Sequence, residues 1–403
     1  MKTLKMIAGA LPLAALIALA AGCERVDADP DGATDARYET PSAVPLDDVA
    51  RLLSLVPVGP EQMEEVSDAV RASSGNGYDE EYTMRDLFIK PGSGVGDSAP
   101  TKAVDKVYHA PLRELLKEAA QGLYASKAGG PGALPESPDA FLDALSSSDV
   151  QIYWPYSDSW DGKSLPVVTY DPADGSSSVK GYVLGGGGEE ITVDEQTAKE
   201  RPVWVVNRND DSAFKTIQML RKEDPHWGEG GTIIVKGSDG ATKSDASFKS
   251  LLLKSFSMKR NYDVWLAGAS EFFVKCGSVE GFTASTDAEI ALYYPAVAEF
   301  MVVVRRSQIG ETIPFNAVLV SDWSDQLENC ALLITEDDGG TRTSWNCSAT
   351  VKYNSKAYGF DIVIPLNTRD DIVWRGQLSR RYIERYSGKT GHFGDVDLVL
   401  ELI

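Results

Sequence analysis

The feature that most constrains the fold of this chain is a change of apolar pattern near residue 149. Before it, apolar residues recur at helical spacing, as in Leu46, Val49, Leu52, Leu53 and Val56. After it, short β-branched or aromatic runs are bounded by Gly, Asp and Pro, which is typical of successive strands joined by tight turns. The pattern therefore predicts an α+β protein, with a short helical N-terminal region followed by mostly antiparallel β-structure and a C-terminal β-sandwich.

The same pattern divides the chain into segments. Residues 23–45 are rich in Asp, Ala, Thr and Pro and lack apolar periodicity, which indicates a flexible, acidic tether. A helical region with Gly- and Pro-rich linkers is predicted for residues 46–148, and a β-rich middle domain for residues 149–260. The spacing of the apolar runs in residues 261–403 predicts the antiparallel sandwich and does not fit βαβ units.

The first 22 residues have the organisation of a secretory signal peptide. Lys2 and Lys5 precede an apolar run over residues 6–21, which is shorter than the roughly 20 residues that a spanning helix needs. Residues 19–23, Leu-Ala-Ala-Gly-Cys, resemble the lipobox of bacterial lipoproteins, although Ala20 stands where Leu is usual. The resemblance implies cleavage before Cys23, acylation of Cys23 and attachment to the lipid bilayer. The alternative is an ordinary signal peptide followed by a chance cysteine.

The charge and hydropathy of the chain narrow the classes of partner. The sequence has 60 acidic and 39 basic residues, a net charge of -21. Because a phosphate backbone would repel such a surface, no nucleic-acid partner is expected. No later segment is long and apolar enough to span a bilayer, since the best candidate, residues 293–304, contains Glu299.

The cysteines permit a prediction of strand register. If the first cysteine is lipidated, an odd number is left, namely Cys276, Cys330 and Cys347. Asp338-Gly339 is a two-residue hairpin signal, and a hairpin around it places Cys330 opposite Cys347 and Leu332 opposite Trp345. This register leaves two alternatives open. Cys330 and Cys347 form a disulfide, or they are two reduced, buried cysteines.

The sequence offers no motif for catalysis or metal binding. The three histidines are widely separated: His109, His226 and His392. Without an H-E-x-x-H, C-x-x-C or G-x-S-x-G pattern, no catalytic residue, metal site or cofactor is predicted. Three acidic turns, residues 171–175, 207–211 and 367–371, could converge to bind calcium. Ordinary turn chemistry is the preferred interpretation, because Asp and Asn side chains bond their own backbone in turns.

An aromatic segment is the candidate ligand site. Residues 153–162 read Tyr-Trp-Pro-Tyr-Ser-Asp-Ser-Trp-Asp-Gly. Aromatic rings beside Asp and Ser can stack on a sugar ring while the polar groups bond its hydroxyls, so the predicted binding residues are Tyr153, Trp154, Tyr156 and Trp160. The alternative is that these rings fill a core or a domain junction.

Three further segments widen the resemblance to lipoproteins: residues 153–162, 201–211 and 370–379. Together with the lipobox, they look like uncharacterised lipoproteins of Bacteroidales-type bacteria over most of the mature chain. The resemblance implies a lipid-anchored protein of the outer membrane, on its periplasmic or surface face. It brings no known activity and no catalytic residue.

Three functional hypotheses follow from these observations. The first is a non-enzymatic, membrane-anchored envelope lipoprotein that binds a glycan or a protein partner. The second is a secreted hydrolase that acts on a glycan with two carboxylates, one of them buried, beside residues 153–160. The third is a structural envelope component with no pocket and a broad exposed apolar patch.

Overall fold

The computed structural model describes residues 44–89, 106–126, 137–184, 189–211, 214–223, 225 and 248–403. The predicted signal peptide (1–22), Cys23 and the tether as far as residue 43 lie outside the described residues. Among the helices that are described, none has the length and apolar character needed to cross a membrane.

The N-terminal part is helical, as the apolar spacing predicts. Its described helices are α1 (Leu46–Leu55), α2 (Pro60–Gly75), α3 (Met84–Phe88), α4 (Leu112–Ser126) and α5 (Pro138–Ser146). Pro57 and Pro60 separate α1 from α2, because proline lacks the N–H that a helix interior requires, whereas Pro60 is suited to the first turn of α2. The hydroxyl of Ser137 accepts a hydrogen bond of 3.1 Å from the Ala140 N–H and begins α5.

A six-stranded sheet, called here the middle sheet, takes one strand from between α2 and α3 and five from the chain after α5. Its strands are β1 (Glu81–Thr83), β2 (Val150–Tyr153), β3 (Val167–Tyr170), β4 (Ser178–Val183), β5 (Glu190–Asp194) and β6 (Val203–Arg208). The spatial order is β1-β2-β6-β3-β4-β5, with β3 and β6 parallel and the other neighbours antiparallel. Two helices follow β5 and β6, namely α6 (Glu195–Glu200) and α7 (Ile217–Glu223).

The helices and the middle sheet share one apolar core. Leu52 and Leu53 of α1 and Leu116 of α4 belong to the same buried cluster as Trp154 and Trp204 of the sheet region. Burial of apolar surface against a sheet face stabilises such helices more than their intrinsic propensity does. The boundary predicted between residues 148 and 149, which divides the helical region from the β-rich middle domain, therefore does not separate two cores.

The C-terminal part is a sandwich of two sheets. The first has the order β10 (Ile313–Trp323), β7 (Lys249–Met258), β16 (Val396–Leu402) and β15 (Lys389–Phe393). The second has the order β13 (Lys356–Asn367), β12 (Arg342–Tyr353), β11 (Leu327–Glu336), β8 (Ser270–Ser278) and β9 (Ala296–Val304), and β14 (Asp371–Ser379) also pairs with β11. Short helices α8 (Asp287–Ile290) and α9 (Arg380–Tyr386) connect strands. This architecture confirms the α+β prediction with a C-terminal sandwich.

One boundary of the sandwich differs from the expectation. Strand β7 ends at Met258, before residue 261, yet it pairs with β10 and β16 of the first sandwich sheet. Its buried residues Leu251, Leu253 and Phe256 belong to the sandwich core. The apolar run of β7 lies inside the segment assigned to the middle domain, and its partners could not be identified from local pattern.

The cysteine register differs from the predicted hairpin. Strands β11 and β12 pair over a short stretch, with Leu327 opposite Val351 and Asn329 opposite Thr350. From there β11 pairs with β14, so Cys330 lies opposite Leu378, while β12 pairs with β13. Cys276, Cys330 and Cys347 are free thiols. The disulfide alternative is therefore wrong. Asp338 and Gly339 lie in the loop between β11 and β12, and these two strands do not pair beside that loop.

A connection from the sandwich covers the second face of the middle sheet. Residues 259–269 join β7 to β8, and Trp265 and Leu266 pack there against Val203 and Val205 of β6. The Trp265 indole N–H donates to the carbonyl of Ser177 at 2.9 Å. The middle sheet is thus covered by helices on one face and by this connection, called here the junction segment, on the other.

Candidate functional site

Two of the four predicted ligand-binding rings lie in the protein interior. Tyr153 is 0% exposed and Trp154 is 1% exposed. The Trp154 ring centroid lies 5.5 Å from that of Trp160 and 6.2 Å from that of Trp204, in edge-on contacts. Strand β2 ends here, so successive side chains enter the cores on the two faces of the middle sheet. Tyr153 and Trp154 are core residues, which corrects the exposed, ligand-stacking role expected for them.

Tyr156 and Trp160 remain half-buried and line a small open pocket. Its volume is about 90 Å³, and its wall includes Trp160, Ser159, Ser164, Lys199 and Arg201. The indole N–H of Trp160 donates to the Ser164 carbonyl at 3.0 Å. The Tyr156 hydroxyl donates to Glu195 at 2.7 Å. The rings are therefore held in fixed orientations beside polar groups.

The carboxylates that line this pocket do not have the environment of a general acid. Asp161 accepts hydrogen bonds from the Ser164 N–H at 2.7 Å, the Ser164 hydroxyl at 2.7 Å and the Lys163 N–H at 2.9 Å. These bonds lower the pKa of Asp161 to about 2. The second acid in the described lining, Glu200, is exposed. A carboxylate pair with one buried member, as the hydrolase hypothesis requires, is not found among the described lining residues.

A buried acid lies next to the aromatic segment instead. Glu80 is 0% exposed, and its Oε1 accepts hydrogen bonds from the N–H and the hydroxyl of Ser157, at 3.0 and 2.7 Å. Burial, and then the charge of Asp79, raise the pKa of Glu80 to about 7. The guanidinium of Arg305 lies further away, with its Nη1 3.9 Å from Oε1. Glu80 is thus a buried carboxyl that titrates near neutrality.

Glu80 is expected to make the folded protein less stable as pH rises. Because its pKa is higher in the folded than in the unfolded chain, the penalty is absent below about pH 4 and complete above about pH 7. Glu80→Gln keeps an oxygen that can accept from Ser157, so it should raise the free energy of unfolding by on the order of 2 kcal/mol at pH 8. Urea unfolding at pH 5 and pH 8 measures the difference. The exposed Glu200→Gln is the control, and a pH-independent effect of Glu80→Gln contradicts the assignment.

A larger groove lies on the outer face of the second sandwich sheet, beside α7. Its volume is about 420 Å³, and we call it the α7 groove. The apolar lining consists of Phe214, Ile217, Leu220, Phe273, Phe300, Met301 and Pro365, and the charged lining of Lys215, Glu299 and Arg342. Phe273 of β8 lies opposite Met301 of β9, and the two form the floor of the groove. Because side chains alternate between the two faces of a sheet, their neighbours Phe272 and Val302 enter the sandwich core.

An ion pair borders the floor of the groove. Lys275 of β8 faces Glu299 of β9, and Lys275 Nζ lies 2.9 Å from Glu299 Oε1. The same ammonium donates to the Pro365 carbonyl at 2.8 Å. Lys275 is 3% exposed, and these two partners hold its ammonium group in place. The groove therefore combines an apolar floor with charges of both signs.

The junction between the middle sheet and the sandwich holds an acidic cluster. Asp263, Glu271 and Glu336 each place a carboxylate oxygen within 4.8 Å of the other two. Burial, and then the neighbouring Asp263, raise the pKa of Glu336 to about 12. Burial, followed by the charges of Asp210 and Asp263, also raises the pKa of Glu271 well above its ordinary value. Sequence reasoning did not single out any of these three acids.

No protein-family model, curated protein or solved structure matches this chain. The resemblance to lipoproteins of Bacteroidales-type bacteria therefore stays a prediction. The function has to be inferred from the groove, the pocket and the acidic cluster themselves.

The acidic turns singled out from the sequence use their side chains locally. Asp171 accepts from the Ala173 N–H at 2.9 Å, and Asp174 accepts from the Ser176 N–H at 2.9 Å. Asp370 accepts from the Asn367 N–H at 2.8 Å. These are bonds of the kind that Asp forms in turns. Two of the three turns thus show the turn chemistry that was preferred over calcium binding.

The α7 groove had a partial signal in the sequence. Within residues 271–276, Glu-Phe-Phe-Val-Lys-Cys, positions 272–274 are apolar in succession and do not alternate with polar residues. A strand of that kind is covered on both faces, so a layer outside the sandwich could have been expected over Phe273. The rest of the lining comes from residues 214–220, 299–301, 342 and 365, which are brought together only by the tertiary structure.

Proposed function

We propose that this chain is a lipid-anchored, non-enzymatic envelope protein that binds a protein partner in the α7 groove. The observation that carries the proposal is the groove itself, with about 420 Å³ of space over an apolar floor. That volume lies within the range of roughly 300–1,000 Å³ typical of ligand sites. The lining is rich in Phe and contains Met and Arg, which are enriched in protein interfaces.

The position of β9 favours an extended peptide as the ligand. β9 is the last strand in the order of its sheet, and it contributes Glu299, Phe300 and Met301 to the groove. The end of a sheet can accept an additional strand, which gains affinity from backbone hydrogen bonds and specificity from side-chain pockets. We expect a peptide with one large apolar side chain for the floor and flanking charges for Lys215, Glu299 and Arg342.

The neighbourhood of β9 supports the same kind of partner. Leu292, Tyr294 and Val297 are 72%, 69% and 38% exposed. They lie in the segment that leads into β9 and in its first residues. Exposed apolar side chains grouped in this way often mark a site of protein contact. A peptide paired with β9 would cover part of this surface.

The predicted anchor and tether suit a protein that meets its partner outside the cytoplasm. Acylated Cys23 would hold the chain at the outer membrane, and the tether would separate the folded part from the bilayer. Fully extended, residues 24–45 span at most about 75 Å. Because the tether is acidic, an anionic surface would repel it rather than bind it.

A displayed library of random dodecapeptides, selected against the full-length protein in detergent, tests the proposal. We expect enriched peptides that combine an aromatic or aliphatic residue with flanking charges, and at least a tenfold loss of their binding in Leu220→Asp. Leu55→Asp is the matched control, because Leu55 is exposed at the end of α1 and lines neither the groove nor the surface beside β9. Unchanged thermal unfolding of both variants shows that the fold is retained. Failure to enrich any peptide, or binding that survives Leu220→Asp, overturns the proposal.

A glycan ligand at the Trp160 pocket is the second candidate. It is favoured by one observation: a half-buried Trp160 ring beside the side chains of Ser159, Lys199 and Arg201. A sugar could stack on the ring and bond the polar groups. A glycan array probed with the full-length protein should then give signals that Trp160→Ala abolishes and Leu220→Asp preserves. Signals that persist in Trp160→Ala would place the glycan elsewhere and remove this candidate.

A further inference from the structure

The geometry points to a calcium site at the junction of the middle sheet and the sandwich, formed by the carboxylates of Asp263, Glu271 and Glu336. This inference goes beyond the proposed function, because it concerns a different part of the molecule and needs no partner. The three acids come from the junction segment, the beginning of β8 and the end of β11.

Backbone pairing brings the three carboxylates together. β8 and β11 are antiparallel neighbours, with Glu336 opposite Phe272, and the Asp337 N–H donates to the Glu271 carbonyl at 3.0 Å. The Ser270 hydroxyl accepts a bond of 3.3 Å from the Asp263 N–H, which holds the junction segment against the beginning of β8. Glu271 and Glu336 are therefore positioned by sheet pairing, and Asp263 by the bond between the junction segment and Ser270.

The spacing of the oxygens fits a single ion. One carboxylate oxygen from each residue lies within 4.8 Å of the other two. Two oxygens that bind the same calcium ion at about 2.4 Å can be at most about 5 Å apart. One ion can therefore contact all three residues without any change of backbone conformation.

Glu336 supplies independent evidence for a ligand. It is 0% exposed, and neither of its carboxylate oxygens accepts a hydrogen bond from a donor among the described residues. Its closest polar neighbours include the carboxyl groups of Asp263 and Asp338, which are themselves acceptors when ionised. Buried polar atoms are nearly always paired, and an unpaired buried carboxylate is costly. A cation between these acids would satisfy oxygens that no N–H or hydroxyl group of the described residues reaches.

The nearest fixed positive charge is engaged elsewhere. Arg306 donates to the backbone carbonyl of Asp263 at 2.7 Å, to the carbonyl of Gly268 at 3.2 Å and to Glu195 at 3.2 Å. Over the described part of the chain, no Lys or Arg forms an ion pair with the Asp263, Glu271 or Glu336 carboxylates. Arg306 thus shapes the junction segment and leaves the three carboxyl groups without a basic partner among the described residues.

The donor set selects calcium among the common metal ions. All three ligands are carboxylates, which suit hard cations, whereas zinc sites in proteins are built mainly from Cys and His. Three bidentate carboxylates supply up to six oxygens, and calcium takes six to eight. Magnesium is less suitable, because it keeps several water molecules and requires near-octahedral geometry that a buried protein site rarely provides.

The experiment uses the full-length protein in detergent, stripped with a chelator and titrated with calcium chloride in a calorimeter. We expect one calcium site per chain, with a dissociation constant of about 1 mM or lower. Saturating calcium should raise the melting temperature by about 5 °C or more. Magnesium chloride is the second arm, and its effect should be smaller.

Glu336→Gln separates a calcium ligand from a structural acid. The variant should lose the calorimetric site and the calcium-dependent rise in melting temperature, while its melting temperature without calcium stays equal to or above that of the unmodified protein. Asp361→Asn, an exposed acid of the same sandwich, is the control and should keep both responses. Absence of a calcium response in the unmodified protein, or its persistence in Glu336→Gln, overturns the inference. Neither result depends on peptide or glycan binding.

Discussion

Alanine in place of Trp154 is expected to lower the free energy of unfolding by about 3–5 kcal/mol. The indole is 1% exposed and lies between Trp160 and Trp204, so its removal leaves a cavity in the core shared by the helices and the middle sheet. Urea unfolding, followed by tryptophan fluorescence and circular dichroism, measures the loss.

Trp160→Ala is the matched control for this prediction. It removes the same ring type six positions further along the chain, but from a half-buried position at the pocket wall. We expect a loss of less than about half that of Trp154→Ala, because less apolar surface is withdrawn from the interior. Equal losses, or a Trp154→Ala variant of unchanged stability, would contradict the placement of Trp154 in the core.

Replacing Cys23 with serine is expected to abolish membrane attachment. A serine hydroxyl is a poor substitute for the thiolate that accepts the diacylglyceryl group, so the variant should leave the membrane fraction or accumulate as uncleaved precursor. The tether offers no second means of attachment: Asp27, Asp29, Asp31 and Asp35 outnumber Arg25 and Arg37. It also lacks an apolar face that could bind the membrane interface.

Membrane fractionation with a high-salt wash measures the anchor, because an acyl chain resists salt and charge-mediated attachment does not. Cys347→Ser is the control and should sediment like the unmodified protein, since Cys347 is a free thiol in the sandwich. A processed Cys23→Ser protein that still sediments after the wash would show that Cys23 is not the anchor.

The parts of the fold that could be predicted are those set by local pattern. The change of periodicity near residue 149 separates helices α1–α5 from the strands that follow, and Pro57 and Pro60 divide α1 from α2. Such features depend on residues a few positions apart, and backbone geometry restricts them to a helix or a strand. The turn chemistry of Asp171 and Asp370 is local for the same reason.

The parts that could not be predicted depend on which strand pairs with which. The hairpin signal at Asp338-Gly339 indicated a turn, but β11 exchanges β12 for β14 after Asn329. Glu336 and Glu271 meet only because β11 lies beside β8. Neither partner choice leaves a mark in the local sequence, so the acidic cluster was not found.

The aromatic segment shows a different limit. A run of Tyr and Trp beside Asp and Ser is typical both of sugar binding and of core packing. The outcome depends on where β2 ends: Tyr153 and Trp154 still belong to the packed layer, whereas Tyr156, with a φ of 59°, turns the chain outward. One segment thus contributes both to the core and to a pocket.

The position of the junction segment has a consequence for the order in which the parts of the chain fold. The N-terminal part is synthesised first and can form its helices and most of the middle sheet. One face of that sheet stays exposed to solvent until Trp265 and Leu266 have been synthesised and pack against it. Strand β7 cannot complete its pairing until β16, the last of the described strands, has been synthesised. Because such long-range pairing is slow, the newly synthesised polypeptide would expose apolar surface until β16 is made and would benefit from a holding chaperone.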